Sequence, residues 1–139
     1  MDVKTIMTAN PVAASPAASL QQVARMMLDN DVGEIPIVED AKPVGVVTDR
    51  DIVVRLVAHG QDPTQVPARD CMTSPAVTIS ADSDVKDCAE LMSREQIRRV
   101  PVVDDGGRLC GIVALADLER RQDVRSLKAE VSRHVSQPH

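Results

Sequence analysis

Thr48 and Asp51 are the two side chains in this sequence whose types and spacing best suit the binding of a small polar molecule. They lie three residues apart where a valine-rich strand is predicted to end and a helix to begin, so both can face one cleft. A carboxylate can accept hydrogen bonds from both hydroxyls of a cis-diol, while a threonine hydroxyl and exposed N–H groups at a helix start can hold a phosphate. The same residue types also cap helices, and the two roles are compatible.

Three arginines are candidate partners for such a phosphate. Arg98 and Arg99 come immediately before a predicted strand, and Arg50 lies between Thr48 and Asp51. The planar guanidinium group suits phosphate because it can donate two parallel hydrogen bonds. The alternative is that the Arg98–Arg99 pair is only solvated surface charge, and we expect Arg50 to point to solvent.

The chain contains an internal repeat. Shifted by 65 residues, the sequence matches itself at its Met-Thr pairs and at its hydrophobic-Pro-hydrophobic-hydrophobic segments; one further residue then enters, and Asp51 falls on Asp117 at an offset of 66. We assign residues 1–62 to the first repeat, 63–121 to the second, and 122–139 to a C-terminal helical extension or tail.

Each repeat predicts the same elements in the order β-α-β-β-α. A small strand is expected around Val12 or Val77, and a helix follows. This helix is capped by Ser19 in the first copy, and in the second it opens at Ser80 or Asp82. The apolar stripe of this helix consists of Leu20, Val23, Ala24 and Met27 in the first copy and of Val85, Cys88, Ala89 and Met92 in the second.

A hairpin and a second helix complete each repeat. The predicted hairpin strands are Ile35–Val38 with Val44–Val47, and Val100–Val103 with Leu109–Val113. The second helices are predicted over Asp51–Ala58 and from Asp117 onward. The fold class is therefore α/β (α+β). One repeat is marginal alone, so we expect two copies packed sheet to sheet about a pseudo-two-fold, with clefts where they meet.

Composition excludes several classes of function. The 139 residues include no Phe, Tyr or Trp and carry a net charge of −5, which argues against a nucleic-acid surface. We see no apolar run long enough to span a membrane and no signal peptide, so we expect a cytoplasmic protein that does not bind membranes. Cys71, Cys88 and Cys110 are expected to be reduced, partly buried thiols. The histidines are scattered, so no metal site is predicted.

Nothing in the sequence indicates an enzyme. Neither His nor Cys has a recognisable acid–base partner, no paired carboxylates stand out, and no phosphate-binding loop of the Walker type occurs. We therefore predict no catalytic residues.

The two repeats together resemble a tandem pair of cystathionine-β-synthase (CBS) domains, a Bateman module, of the free-standing bacterial type. The resemblance rests on the duplicated element order, the proline-containing strands and Gly45–Asp51, which fits the family motif G-h-x-[ST]-x-x-[DN]. It implies a regulatory sensor of adenosine-containing ligands that needs no cofactor and signals by conformational change to an unidentified effector protein. It also implies a homodimer, which the aliphatic surfaces of the Asp51–Ala58 and Asp117–Arg121 helices could form.

The resemblance implies the following roles in the first site. Asp51 binds the ribose, and Thr48 binds a phosphate. Arg99, together with Arg98, reaches the same phosphate from the opposite repeat. Arg50 could contribute a further positive charge. The adenine rests on an aliphatic wall, Pro75, Ala76 and Val77. We expect AMP, ADP or ATP as the ligand; the alternatives are a sensor of NAD or S-adenosylmethionine, and a dimeric scaffold with empty clefts.

A second, weaker site is expected around Asp117. Ala114 stands where the hydroxyl residue is expected, and Gly33-Glu34 stand where Arg98-Arg99 are found in the other copy. Because the Glu34 carboxylate repels a phosphate, this site is expected to be weak for nucleotides, empty, or suited to a ligand with less negative charge. Its adenine wall would be Val12 and Ala13.

Overall fold

The computed structural model describes residues 1–120 and divides the chain into two compact units. The continuous unit is Val12–Val77, and the split unit consists of Met1–Pro11 together with the described residues from Thr78 onward. The predicted extension or tail, 122–139, lies outside the described residues.

Within the described residues, both units combine helices with short strands. The strands are Thr8–Ala9 (β1), Glu34–Glu39 (β2), Lys42–Thr48 (β3), Ile79–Ser80 (β4), Arg99–Val103 (β5) and Leu109–Ala114 (β6). The α-helices are Leu20–Asn30 (α1), Asp49–Arg55 (α2), Val85–Glu95 (α3) and Leu115–Glu119 (α4), and 3-10 turns occupy Val3–Thr5, Val57–His59 and Ala68–Asp70.

The continuous unit is built on the antiparallel hairpin of β2 and β3. Asp40 and Ala41 connect the strands with φ angles of 53° and 66°, a tight turn whose twist suits a two-residue hairpin. Ala14 bridges β2 in parallel and Thr73 bridges β3 in antiparallel fashion, so each strand has a further neighbour. The core is aliphatic apart from one thiol; its buried residues are Ala14, Leu20, Val23, Ile35, Ile37, Val47, Leu56, Ala68 and Cys71.

The split unit repeats this arrangement, and each of its outer strands pairs over two residues instead of one. Its sheet has the order β1-β6-β5-β4, with β4 parallel to β5 and the other pairs antiparallel. All four residues of the predicted α3 stripe are buried, among them Met92 and Cys88. Burial raises the pKa of the Cys88 thiol to about 12. The predicted free thiols are confirmed, with Cys110 only half-buried.

The α+β fold class and the predicted hairpins are confirmed. Ser19 caps α1 as predicted: its hydroxyl accepts a hydrogen bond from the Gln22 N–H at 3.1 Å, and the Gln22 side chain accepts from the Ser19 N–H at 2.9 Å. On the predicted stripe of this helix Leu20 and Val23 are buried, whereas Ala24 is exposed.

Four predicted helix boundaries are wrong. Helix α4 begins at Leu115 and not at Asp117, because Asp117 is the third residue of the helix and its carboxylate caps the Ala114 N–H. The cap of α3 is Asp84, because Ser80 belongs to β4 and the Ala81 N–H donates to the Val103 carbonyl, which keeps that segment extended. Helix α2 begins two residues before Asp51 and ends at Arg55, where a 3-10 turn follows.

The predicted strands around Val12 and Val77 are also displaced. The paired residues lie on either side of them, at β1 and Ala14 in one case and at Thr73 and β4 in the other. Pro11 precedes Val12 and has no N–H to donate, which interrupts the pairing there.

The compact units do not follow the sequence period. The leading segment of the first repeat contributes β1 to the sheet of the split unit, which holds the second repeat's hairpin. The leading segment of the second repeat bridges β3 in the continuous unit. The boundaries 1–62 and 63–121 therefore stay a prediction about the sequence repeat. Within residues 1–120, no helix is long and apolar enough to cross a membrane.

Candidate functional site

Thr48 and Asp51 form a reciprocal capping box at the start of α2. The Asp51 N–H donates to Thr48 Oγ1 at 3.0 Å, and the Thr48 N–H donates to Asp51 Oδ2 at 2.9 Å. The capping role foreseen from the sequence is therefore realised. It also orients the carboxylate, because one of its two oxygens is held by the backbone.

The other oxygen, Asp51 Oδ1, has only long contacts. Thr73 Oγ1 donates to it at 3.4 Å, and Arg55 Nε lies 3.7 Å away. The Asp51 side chain is 12% exposed, and with Asp117 it is one of two buried charged residues among those described. A carboxylate oxygen accepts up to two hydrogen bonds, so Oδ1 keeps capacity for a ligand hydroxyl.

The expectation that the N–H groups at the start of this helix are exposed and free to hold a phosphate is wrong. The Asp49 N–H donates to the Gly33 carbonyl at 2.9 Å, the Arg50 N–H donates to Asp49 Oδ1 at 2.8 Å, and the Asp51 N–H is held by Thr48. These amides of the first turn are therefore already occupied. The Thr48 hydroxyl keeps its own hydrogen to donate. Arg50 is exposed, as expected.

The predicted adenine wall follows a segment that is fixed against β3. Thr73 exchanges two backbone hydrogen bonds with Val46, at 2.8 and 3.0 Å, and Ser74 Oγ donates to the Val44 carbonyl at 3.0 Å. Pro75 comes next and is exposed, whereas Ala76 and Val77 are half-buried. The carboxylate and the predicted wall thus belong to one compact unit.

Gly45 permits this close approach. A Cβ atom at position 45 would lie 2.8 Å from the Thr73 carbonyl oxygen and 2.7 Å from Met72 Sδ. The backbone of the Thr73 segment therefore passes close to Gly45, which lies inside β3.

Sequence reasoning missed Arg55 and Thr73. Arg55 follows Asp51 by one helical turn, a spacing that places both on one face of α2. Thr73 belongs to the repeated Met-Thr pair, which in the sequence indicates only that the repeat is present. The two residues meet at Asp51 because the chain returns to β3 after the 3-10 turn at Ala68–Asp70.

The Asp117 region has the carboxylate but only one of the two hydrogen bonds of a capping box. The Ala114 N–H donates to Asp117 Oδ2 at 2.7 Å, and Arg120 Nη1 lies 3.4 Å from Oδ1. Alanine has no hydroxyl to return a bond to the Asp117 amide. The lack of a hydroxyl at position 114, expected from the sequence, therefore leaves the Asp117 amide without its side-chain cap. Asp117 is buried like Asp51.

The other predicted site residues are distributed between the two units. Arg99 opens β5 opposite Ala114, and Glu34 opens β2 opposite Thr48, so the two hold equivalent places in their hairpins. Arg98 uses its carbonyl to accept from the Leu115 N–H at 2.7 Å, as Gly33 does for Asp49. Val12 and Ala13 begin the continuous unit. The ligand roles of these residues stay predictions.

Among residues 1–120, no group of three or more His, Cys, Asp or Glu side chains could hold a metal ion.

Comparison with known proteins gives matches over most of the chain. The CBS domain family matches twice, at residues 3–58 and 68–123. The CBS domain-containing protein YhcV of Bacillus subtilis is 40% identical over 120 residues, covering 86% of this chain and 84% of YhcV. An uncharacterized protein of Methanopyrus kandleri, MK0525, is 38% identical over 108 residues, which cover 77% of this chain; the chain spans about half of that protein's length, 55%.

Three solved structures are similar in fold and sequence. The CBS domain protein PAE2072 from Pyrobaculum aerophilum, complexed with AMP, has a TM-score of 0.81 and 30% identity over 93% of this chain and 98% of its own. Hypoxic Response Protein I with two coordinated zinc ions has a TM-score of 0.80 and 32% identity, over 87% of this chain and 98% of its own. The CBS domain pair of MJ0100, in complex with 5-methylthioadenosine and S-adenosyl-L-methionine, has a TM-score of 0.76 and 31% identity, over 86% of this chain and 94% of its own.

The doubled motif, the two units of equivalent build and these matches agree: the chain belongs to the CBS-domain family and carries two CBS domains in tandem.

Proposed function

We propose that this protein is a regulatory module that binds an adenosine nucleotide, AMP, ADP or ATP, at Asp51 and signals the binding to a partner protein by a conformational change. The buried Asp51 carboxylate carries the proposal, because one oxygen is fixed by the Thr48 N–H and the other has only long contacts. The similar proteins PAE2072 and MJ0100 were crystallised with AMP and with S-adenosyl-L-methionine, ligands that share the adenosine group.

The proposed contacts follow from the chemistry of the groups. The Asp51 carboxylate accepts from the ribose hydroxyls, and the aliphatic segment from Pro75 to Val77 lies against the adenine. Since the first-turn amides of α2 are occupied, phosphate recognition falls to the Thr48 hydroxyl and to the arginines Arg50, Arg98 and Arg99.

The Asp117 site is proposed to be the weaker one. Its carboxylate is equally buried, but Ala114 provides no hydroxyl for a phosphate. Glu34 adds a negative charge in the place that Arg99 holds in the other hairpin. A single nucleotide per chain is therefore the expected stoichiometry.

Titration calorimetry of the purified protein with AMP, ADP, ATP, NAD and S-adenosylmethionine tests this function. We expect one adenine nucleotide to bind per chain and to raise the melting temperature, since a ligand at 100 times its Kd stabilises the folded state by about 2.7 kcal/mol. Tighter binding of NAD or S-adenosylmethionine would favour the alternative sensor. Failure of all five compounds at millimolar concentration would favour a scaffold that works with empty sites.

The proposed protein partner is a second copy of the chain, which would contact helix α2. Val53 and Val54 on α2 are 57% and 44% exposed, and Val57 in the following turn is 62% exposed, an unusual density of exposed aliphatic groups. The described part of α4 offers less than the sequence suggested, because Leu118 is fully buried. The α2 surface is therefore the proposed contact.

Sedimentation tests the dimer. The wild type is expected at twice the 15.0 kDa chain mass, and the double substitution Val53→Glu/Val57→Glu is expected to sediment as a monomer because it places charges in an apolar contact. Leu28→Glu changes a residue that is 71% exposed on α1 and should leave the dimer intact. A monomeric wild type at high micromolar concentration would contradict the proposal.

A further inference from the structure

Arg55 makes contacts that connect helix α2 to the chain that precedes the predicted adenine wall. Its Nη1 donates to the Met72 carbonyl at 3.1 Å and to the Cys71 carbonyl at 3.4 Å. Its Nε lies 3.7 Å from Asp51 Oδ1. One guanidinium group therefore touches both the carboxylate and the backbone just before Thr73.

The ion pair by itself does not explain this arrangement. The Arg55 side chain is 48% exposed, and a pair at this exposure and distance contributes little. Hydrogen bonds from a charged donor to backbone carbonyls are stronger and more directional. They fix the position of the Cys71–Met72 backbone relative to α2.

Thr73 closes the connection from the other side. Its hydroxyl donates to the same Asp51 oxygen that Arg55 approaches, while its backbone pairs with Val46 in β3. A closed series of contacts therefore connects Asp51 to Arg55, Arg55 to the Met72 carbonyl, and the adjacent Thr73 back to Asp51. Pro75 follows two residues later, so its position depends on this ring of contacts.

We propose that Arg55 is a positioning residue of the adenosine site: it holds the Asp51 carboxylate and the Cys71–Val77 segment in fixed register, so that the ribose and the adenine can be bound together. This inference rests on the proposed function of the Asp51 site. Arg55 acts through Asp51 and Met72 and is not assigned a contact with the ligand.

The variant Arg55→Gln tests the proposal in two measurements. Amide hydrogen exchange of the ligand-free protein should show the Thr73 N–H exchanging roughly tenfold faster or more, because its segment is less restrained. The Kd for AMP should rise about tenfold, the effect of losing one charge-assisted contact. Arg55→Lys keeps one cation but lacks the planar fork and should lie between the two proteins in both measurements.

Arg25→Gln is the matched control. Arg25 also forms an i,i+4 pair, with its Nε 3.9 Å from Asp29 Oδ1, and is exposed on α1 in the same unit. The Arg25→Gln variant should leave both the hydrogen exchange of the Thr73 N–H and the Kd for AMP unchanged.

The outcomes separate this inference from the function on which it rests. If AMP binds the wild type and Arg55→Gln equally well, the positioning role is overturned while the function stands. If Thr73 exchange is the same in the two proteins, the restraint itself is overturned, whether or not a ligand binds. If none of the adenosine compounds binds the wild type, the proposed function fails, and with it the part of this proposal that concerns affinity.

Discussion

Replacing Asp51 with alanine is expected to abolish most adenine-nucleotide binding. Both ribose hydroxyls lose their acceptor, and two charge-assisted hydrogen bonds contribute about 3 kcal/mol or more, which weakens Kd roughly a hundredfold or further. The Thr48 N–H also loses the oxygen that lies 2.9 Å away, so a stability loss of about 1 kcal/mol should accompany the change. Calorimetric titration with AMP and chemical denaturation measure the two effects separately.

Asp117→Ala is the matched control for this prediction. It removes the equivalent bond, in which the Ala114 N–H donates to Asp117 Oδ2 at 2.7 Å, and so it should lower stability by a similar amount. Its Kd for AMP should stay near that of the wild type. If Asp117→Ala loses the tight site and Asp51→Ala keeps it, the assignment of the two sites is reversed.

Asp51→Asn separates the charge from the shape of the side chain. The amide oxygen can still accept from the Thr48 N–H, so stability should fall less than in Asp51→Ala. Binding should still weaken, because a neutral oxygen is a poorer acceptor for the ribose hydroxyls. Nucleotide affinity equal to that of the wild type would show that the negative charge of Asp51 is not needed.

The local features of this fold could be predicted from the sequence because their causes are local. Ser19 followed three residues later by Gln22 is a capping pattern, and both hydrogen bonds form. The valine-rich segments around Pro36 and Pro101 pair as hairpins, an arrangement that buries apolar residues of these strands. The spacing of Thr48 and Asp51 likewise defines both the helix start and the candidate site.

The errors occur where distant residues decide between local alternatives. Ser80, Asp82 and Asp84 are all acceptable helix caps, and Asp84 is used because β4 pairs with β5 and keeps Ser80 in a strand. The expectation of free amides at the start of α2 failed for the same reason, since the Gly33 carbonyl reaches the Asp49 N–H from 16 residues away in the sequence (49 minus 33). A helix start is open to a phosphate only when tertiary contacts leave it so.

The contacts of Arg55 and Thr73 were beyond local reasoning as well. Thr73 is 22 residues from Asp51 in the chain, and the bond between them depends on the path of the connecting segment. The repeat shows that Met72-Thr73 matters without showing where it packs. Only Gly45, in the strand that Thr73 joins, indicates from the sequence that a backbone passes close by.

Gly45→Ala is expected to destabilise the protein by about 1–3 kcal/mol, the usual cost of adding a group where there is no room. The new Cβ would lie 2.8 Å from the Thr73 carbonyl oxygen, which is backbone and cannot turn away as a side chain can. The neighbouring Met72 sulfur, at 2.7 Å, is more able to move. Chemical denaturation of the ligand-free protein measures the loss.

Gly106→Ala provides the comparison for this change. Its Cβ would meet nothing closer than Asp104 Oδ1 at 3.4 Å, an ordinary contact, so its stability should stay within roughly 0.5 kcal/mol of the wild type. Since the Gly45 Cβ can be accommodated only by moving Thr73 away from β3, Gly45→Ala should also weaken AMP binding, whereas Gly106→Ala should not. Equal stability of the two variants would mean that the Thr73 segment shifts freely, and the fixed register on which the adenosine site is proposed to depend would then be lost.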